Sequence, residues 1–150
     1  MDKKILVKIF LLGFVIYIMN IYLFQIGFVK GISMYPTLKE NNIILIKKFN
    51  LNLKYNDIIV IKKDNKIIIK RLVGMPNDSI KIDKYLYVNG KINDNCYIEN
   101  SGDIHDELVL KDNEYFVLGD NIQNSIDSRF NEIGIIHGNE IIGKVLKNTK

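Results

Sequence analysis

Hydrophobic positions divide the chain into two unequal regimes. From Ile9 to Val29, "IFLLGFVIYIMNIYLFQIGFV", there is no charge, and Asn20 and Gln25 are the only strongly polar side chains. As a helix these residues would span about 31 Å, the thickness of a bilayer's hydrocarbon core. Beyond them the pattern changes to short β-branched runs between turn residues. "NIILIKKF" (Asn42–Phe49), "DIIVIKK" (Asp57–Lys63), "KIIIKRLVG" (Lys66–Gly74), "SIKID", "KYLYVNGKI" and "EYFVLGD" each have strand composition. Asn89–Gly90, flanked by such runs, signals a two-residue hairpin turn. Residues 93–113 are the most polar section and read as a long surface connection, with "ELVL" as a short strand. No amphipathic helix of ten or more residues is expected after residue 30.

These elements predict a mainly β chain: one antiparallel, barrel-like domain over residues 30–150, a membrane helix over 9–29, and a short tail over 1–8. Lys3, Lys4 and Lys8 precede the apolar run, which orients the tail to the cytoplasm and the domain to the outer face of the cell membrane in a single pass. Lys30, Lys39, Lys47 and Lys48 on the far side weaken that bias. A cleavable leader would have a shorter apolar core and a small-residue exit, and "GFVKGIS" offers none.

Composition removes several function classes. A net charge of +4 with acidic residues dispersed among the lysines leaves no basic stripe for nucleic acid. Cys96 is the only cysteine, and His105 and His137 lack ligand spacing, so neither metal nor cofactor is expected.

Two residues remain as candidates for chemistry. Ser33 stands in "GISMYPTLKENN", directly after the apolar run. A serine attacks a carbonyl only when a base takes its proton, and a lysine can do so if desolvation lowers its pKa. Lys70 closes the run "IIIK", a setting that favours such desolvation. Taken singly, Ser33 reads equally as a turn residue, and Lys70 as an edge-strand lysine that discourages aggregation.

Four stretches in order resemble the type I signal peptidase family, membrane-bound Ser/Lys endopeptidases. They are "SMYPTL" (Ser33–Leu38), "YNDIIVIK" (Tyr55–Lys62), "IKRLVGMPNDSI" (Ile69–Ile80) and "GDNIQNSIDSRF" (Gly119–Phe130). The resemblance implies a Ser/Lys protease fold and removal of signal peptides from exported preproteins through an acyl-enzyme. It implies Ser33 as nucleophile, Lys70 as general base, Ser125 as the hydroxyl that holds the base, and Asp127 and Arg129 as a supporting pair. Asp120 and Asn121 match an architectural turn. Small residues at the −1 and −3 positions of the substrate are expected in shallow apolar pockets, with Met34, Leu38, Ile69 and Val29 as candidate linings. Preproteins, membrane lipid and transient proximity to the export translocon are the implied partners.

The sequence departs from the family pattern at three places. Asn56 and Asn77 stand where glycine is common, and asparagine tolerates positive φ next best. Gly31 stands where some members carry a serine that assists the oxyanion hole, which leaves the Ser33 backbone amide as the main donor. Two other readings are a self-cleaving repressor-type Ser/Lys peptidase and a non-catalytic membrane-anchored β-domain of the secretion machinery. The first is disfavoured by the apolar helix and the lack of an Ala-Gly or Cys-Gly pair.

Overall fold

The computed structural model describes residues 3–149, so the outermost ends of the expected tail and domain lie outside it. Helix α1 covers Lys3–Leu23. Eleven strands follow: β1 (Phe24–Phe28), β2 (Ile43–Lys47), β3 (Ile58–Lys63), β4 (Lys66–Gly74), β5 (Ser79–Asp83), β6 (Tyr85–Val88), β7 (Lys91–Tyr97), β8 (Leu108–Val109), β9 (Glu114–Leu118), β10 (Ile136–His137) and β11 (Ile141–Thr149). Two single turns of 3₁₀ helix, Ile122–Asn124 and Gly138–Glu140, are the remaining helical elements. The strands form two antiparallel sheets, one ordered β1-β2-β11-β3-β4-β9-β10 and the other β7-β6-β5-β8.

The helix expected over 9–29 is displaced toward the N-terminus. It starts at Lys3, so residues 3–8 are helical rather than a separate tail, and it stops at Leu23. The next five residues then leave it to pair with β2, from Phe24 opposite Lys47 to Phe28 opposite Ile43. Lys48 N–H donates to Leu23 O at 2.8 Å, so the ladder begins at the helix's final residue. An apolar run cannot by itself distinguish a helix from a strand, and here the partner strand decides. Among the described residues no helix is long and apolar enough to cross a membrane; the side chains of residues 16 and 19–21 of α1 lie outside the description.

Most strand expectations coincide with the ladders, and β4 and β5 do so residue for residue. The turn between β6 and β7 has Asn89 at φ 52° and Gly90 at 70°, the two positive values that a type I′ hairpin requires. Asn56 and Asn77 also sit at positive φ, 68° and 70°, so asparagine does serve where glycine is common. The polar section expected over 93–113 begins later than it should, because β7 runs on to Tyr97. Its pairing with β6 outweighs its polar composition: Asn93 lies opposite Leu86, and Tyr97 meets Tyr85 edge to face with ring centroids 5.8 Å apart. The strand β11 was not foreseen, although it lies between β2 and β3. Gly143 and a register shift between Val145 and Lys147 break the alternation that would have revealed it.

Three apolar clusters hold this frame. One fills the space between the two sheets, with Ile80, Leu86, Leu110 and Phe116 fully buried. A second lies around Ile59, Ile61, Leu72, Val117 and Ile136. The third comprises Val29, Met34, Leu38, Ile44, Ile46 and Val60, and it carries the segment that contains Ser33. Gly74 lies where β4 reaches the first cluster. A β-carbon there would stand 2.8 Å from Phe116 Cβ and Ile80 Cδ1 and 2.9 Å from Leu110 Cδ1. Gly74→Ala should therefore overpack the junction and cost about 1–3 kcal/mol, read as a lowered urea midpoint in chemical denaturation.

Candidate active site

Strand β4 supplies two cations in succession, and alternation along the strand sends them to different surroundings. Lys70 is 4% exposed, among apolar neighbours. Its Nζ donates to Ser125 Oγ at 2.9 Å, and Ser125 is itself buried. Burial pushes the Lys70 pKa below its ordinary value, an effect opposed by the Asp127 carboxylate and reinforced by the Arg129 guanidinium. Arg71 instead grips Asp120 with two bonds, Nε to Oδ1 at 2.6 Å and Nη2 to Oδ2 at 2.5 Å. It also donates to Asn56 O at 2.7 Å and to Thr37 Oγ1 at 3.4 Å.

Ser33 is half-buried in a turn that starts from Val29 and is pinned by Met34 and Leu38, all three in the core. Tyr35 N–H donates to Ile32 O and Leu38 N–H to Met34 O, which closes the turn on itself. Asn121 ties it to the far side of the site. Its backbone N–H donates to Ser33 O at 2.9 Å, and its side-chain amide donates to Ile32 O at 3.2 Å. Gly31 has φ 81° in this turn, a region that disfavours any side chain. A serine at that position would therefore strain the backbone even though nothing obstructs its β-carbon.

The segment from Gly119 to Arg129 is held from within by a buried ion pair. Arg129 Nε donates to Asp127 Oδ1 at 2.8 Å and Nη2 to Oδ2 at 3.0 Å, with both residues at most 2% exposed. The remaining guanidinium donors reach Ser125 O, Ile122 O and Asn100 O. Asp127 Oδ2 also accepts from Gly119 N–H at 3.0 Å. The pair thus fixes the backbone on both sides of Ser125 and so aims its hydroxyl at Lys70.

Sequence reasoning singled out Ser33, Lys70, Ser125, Asp127 and Arg129, and the fold gathers them around one region. Ser33 and Lys70 border the same cavity of about 430 Å³, together with Val29, Met34 and Ile69. Leu38, expected on that lining, instead packs into the core behind Met34 at 1% exposure. Two residues were missed as parts of the site. Arg71 carried a signal, because an arginine next to a buried lysine on a strand must find a carboxylate on the other face. Gly119 carried less: a β-carbon there would lie 2.2 Å from Ser125 Oγ and 2.6 Å from Ser33 O, a crowding that only the fold discloses. Cys96 offers no rival nucleophile, since burial pushes its thiol up to about 11.

The depressed Lys70 pKa also bears on stability. The unfolded chain binds the lysine proton below 10.5 while the folded chain resists it until a lower pH. Between those two values the unfolded state holds more protons, so stability falls as pH falls. Relative to Lys70→Met, the native protein should lose stability as the pH is lowered from 10.5 toward the folded value, and denaturant midpoints of both proteins across that range measure the difference.

The family model described as "Signal peptidase, peptidase S26" matches residues 3–147. Signal peptidase I P of Bacillus subtilis subsp. natto is 34% identical, over 94% of this chain and 83% of its own. Signal peptidase I V of Bacillus subtilis (strain 168) is also 34% identical, over 78% of this chain and 80% of its own. A crystal structure of a signal peptidase I from Enterococcus faecalis V583 has a TM-score of 0.48 and 24% identity, over 63% of this chain and 97% of its own. The chain belongs to the signal peptidase family, peptidase S26.

Proposed function

We propose that the protein is a type I signal peptidase, a serine endopeptidase that removes signal peptides from exported preproteins. The observation that carries the mechanism is the buried Lys70 amine, hydrogen-bonded to Ser125 and bordering the cavity that Ser33 also borders. Neutral Lys70 takes the Ser33 hydroxyl proton as Oγ bonds to the scissile carbonyl carbon. The Ser33 backbone N–H stabilises the oxyanion. Lys70 then passes its proton to the departing amine as the C–N bond breaks and an ester to Ser33 remains. A water deprotonated by Lys70 attacks that ester, and the proton returns to Ser33 as the acid product leaves.

The supporting residues act through these two. Ser125 holds the amine, and Asp127 and Arg129 hold Ser125. Arg71, Asp120 and Asn121 keep the Ser33 turn at its distance from the base. Met34, Ile69 and Val29 form the apolar wall against which small substrate side chains rest.

Helix α1 supports a location at the membrane. Its described apolar side chains, from Ile5 through Phe10, Phe14 and Tyr17 to Tyr22, are exposed around the helix, and a helix that is apolar on all sides belongs in a non-aqueous medium. Lys3, Lys4 and Lys8 in its first turns support a cytoplasmic N-terminus and a β-domain on the outer face. There the preprotein's own apolar segment delivers the cleavage site to Ser33, close to lipid and to the translocon. An intact nucleophile with an intact, positioned base favours this reading over a non-catalytic scaffold.

Ser33→Ala and Lys70→Ala should each lower preprotein cleavage by about a thousandfold or more, with both variants still melting cooperatively as folded proteins; retained turnover in either variant removes the mechanism. Activity should rise with pH through the lowered Lys70 pKa, because only the neutral amine accepts a proton. Lys70→Arg, which stays charged throughout, should show no such rise in a pH–kcat/KM profile. Gly119→Ala should force Ser125 off Lys70 and reduce kcat more than KM in steady-state assays.

A further inference from the structure

The turn that carries Ser33 is closed at its neck by backbone bonds. Val29 N–H donates to Asn42 O at 3.0 Å and Asn41 N–H donates to Val29 O at 2.9 Å, which continues the β1–β2 ladder beyond Phe28. The returning segment forms a tight turn of its own. Asn42 N–H donates to Lys39 O at 3.1 Å, Lys39 N–H donates to Asn42 Oδ1 at 2.8 Å, and Asn41 has φ 64°. Glu40 stands at the tip of that turn, and its Oε1 accepts from Gly31 N–H at 3.2 Å. The carboxylate thus reaches back across the neck to a residue just before the nucleophile.

Planarity of the peptide unit makes this bond bear on the chemistry. Ile32 C=O and Ser33 N–H belong to one trans unit and point opposite ways. Ile32 O accepts from Tyr35 N–H at 3.0 Å and from the Asn121 side-chain amide at 3.2 Å. Those bonds direct the Ser33 N–H, the oxyanion donor, to the side opposite the Asn121 amide. A second unit, Lys30 C=O with Gly31 N–H, is held by Glu40. Gly31 is the joint between the two, and packing does not steady it. A glycine has the widest choice of φ and ψ, and no atom beyond its chain neighbours lies within 4 Å of where its β-carbon would stand. Resting on the signal-peptidase reading above, we infer that Glu40 is a positioning residue for the oxyanion donor. Its carboxylate holds Gly31 so that the Ser33 N–H stays aimed at the developing negative charge. Glu40 is exposed, so its replacement should leave overall stability nearly unchanged, and its effect falls on rate.

The test uses the full chain in detergent, with a preprotein carrying alanine at −1 and −3 and a peptide aldehyde of the same acyl sequence. Ser33 Oγ adds to the aldehyde carbon, its proton passes to Lys70, and the carbonyl oxygen becomes an oxyanion with no group expelled. Glu40→Ala should lower kcat by about tenfold with KM within about twofold of native, and should weaken aldehyde binding by a like factor. Binding of the corresponding peptide alcohol, which forms no oxyanion, should stay within about twofold. Glu40→Gln, which keeps an oxygen acceptor at the same reach, should restore kcat to within about threefold of native. Glu40→Lys keeps no acceptor and should lose as much as Glu40→Ala, so either variant decides if the other does not fold. A kcat and an aldehyde affinity within about twofold of native in these two variants overturn the proposal, as does a loss confined to KM. A Glu40→Gln protein as slow as Glu40→Ala also overturns it, because charge and not position is then at work. Failure of the native protein to cut the preprotein or to bind the aldehyde overturns the peptidase reading and this proposal with it, an outcome distinct from native cleavage that Glu40 does not affect.

Discussion

The site depends on a pair of opposite charges removed from water. Asp127 and Arg129 are separated by one residue, and neither has appreciable contact with solvent. Burying both ions costs several kcal/mol each, and such a pair is tolerated only when the remaining lone pairs and protons are also satisfied. Here they are: the carboxylate also accepts from Gly119, and the guanidinium spreads over three carbonyl oxygens and lies over the Phe130 ring at 5.2 Å. The pair is therefore better understood as a specifier of loop shape than as a source of net stability. It turns a flexible sequence, "NIQNSIDSR", into a platform that presents one hydroxyl to one amine.

A second electrostatic clamp works on the other side of β4. Arg71 joins Asp120, the Asn56 carbonyl and Thr37, which belong to three separate segments. Beside these arginines sits Lys70, whose amine burial drives toward neutrality. Adjacent positions on one strand thus serve opposite ends. One side chain is paired with a carboxylate at hydrogen-bonding distance, and the other with a hydroxyl.

Much of this was legible in the residues, for identifiable reasons. Strands β4 and β5 follow from β-branched composition bounded by turns, and the hairpin at Asn89–Gly90 follows from the φ values those residues allow. Ser33 and Lys70 stood out as candidate nucleophile and base through the resemblance of their stretches to a known family, since each alone reads equally as a structural residue. What escaped was contact across the sequence. The end of α1 depends on the availability of β2 as a partner, β7 on a cross-strand neighbour, and β11 on a bulge that scrambles its alternation. Gly119 and the placement of Leu38 depend on distances between segments that no local pattern encodes. Leu38 and Met34 have the same character in sequence, yet only one of them faces the cavity.

The place of β11 in the sheet has a consequence for the order in which the molecule can be assembled. Ser33 is among the first residues of the β-domain to be synthesised, but β2 and β3 do not pair with each other; β11 lies between them. Ile142 of that strand also helps line the cavity. A nascent chain that has extended past Lys70 therefore carries both Ser33 and Lys70 without the strand that lies between β2 and β3. The surroundings of the cavity are therefore complete only once Ile141–Thr149 has been made, well after Ser33 and Lys70.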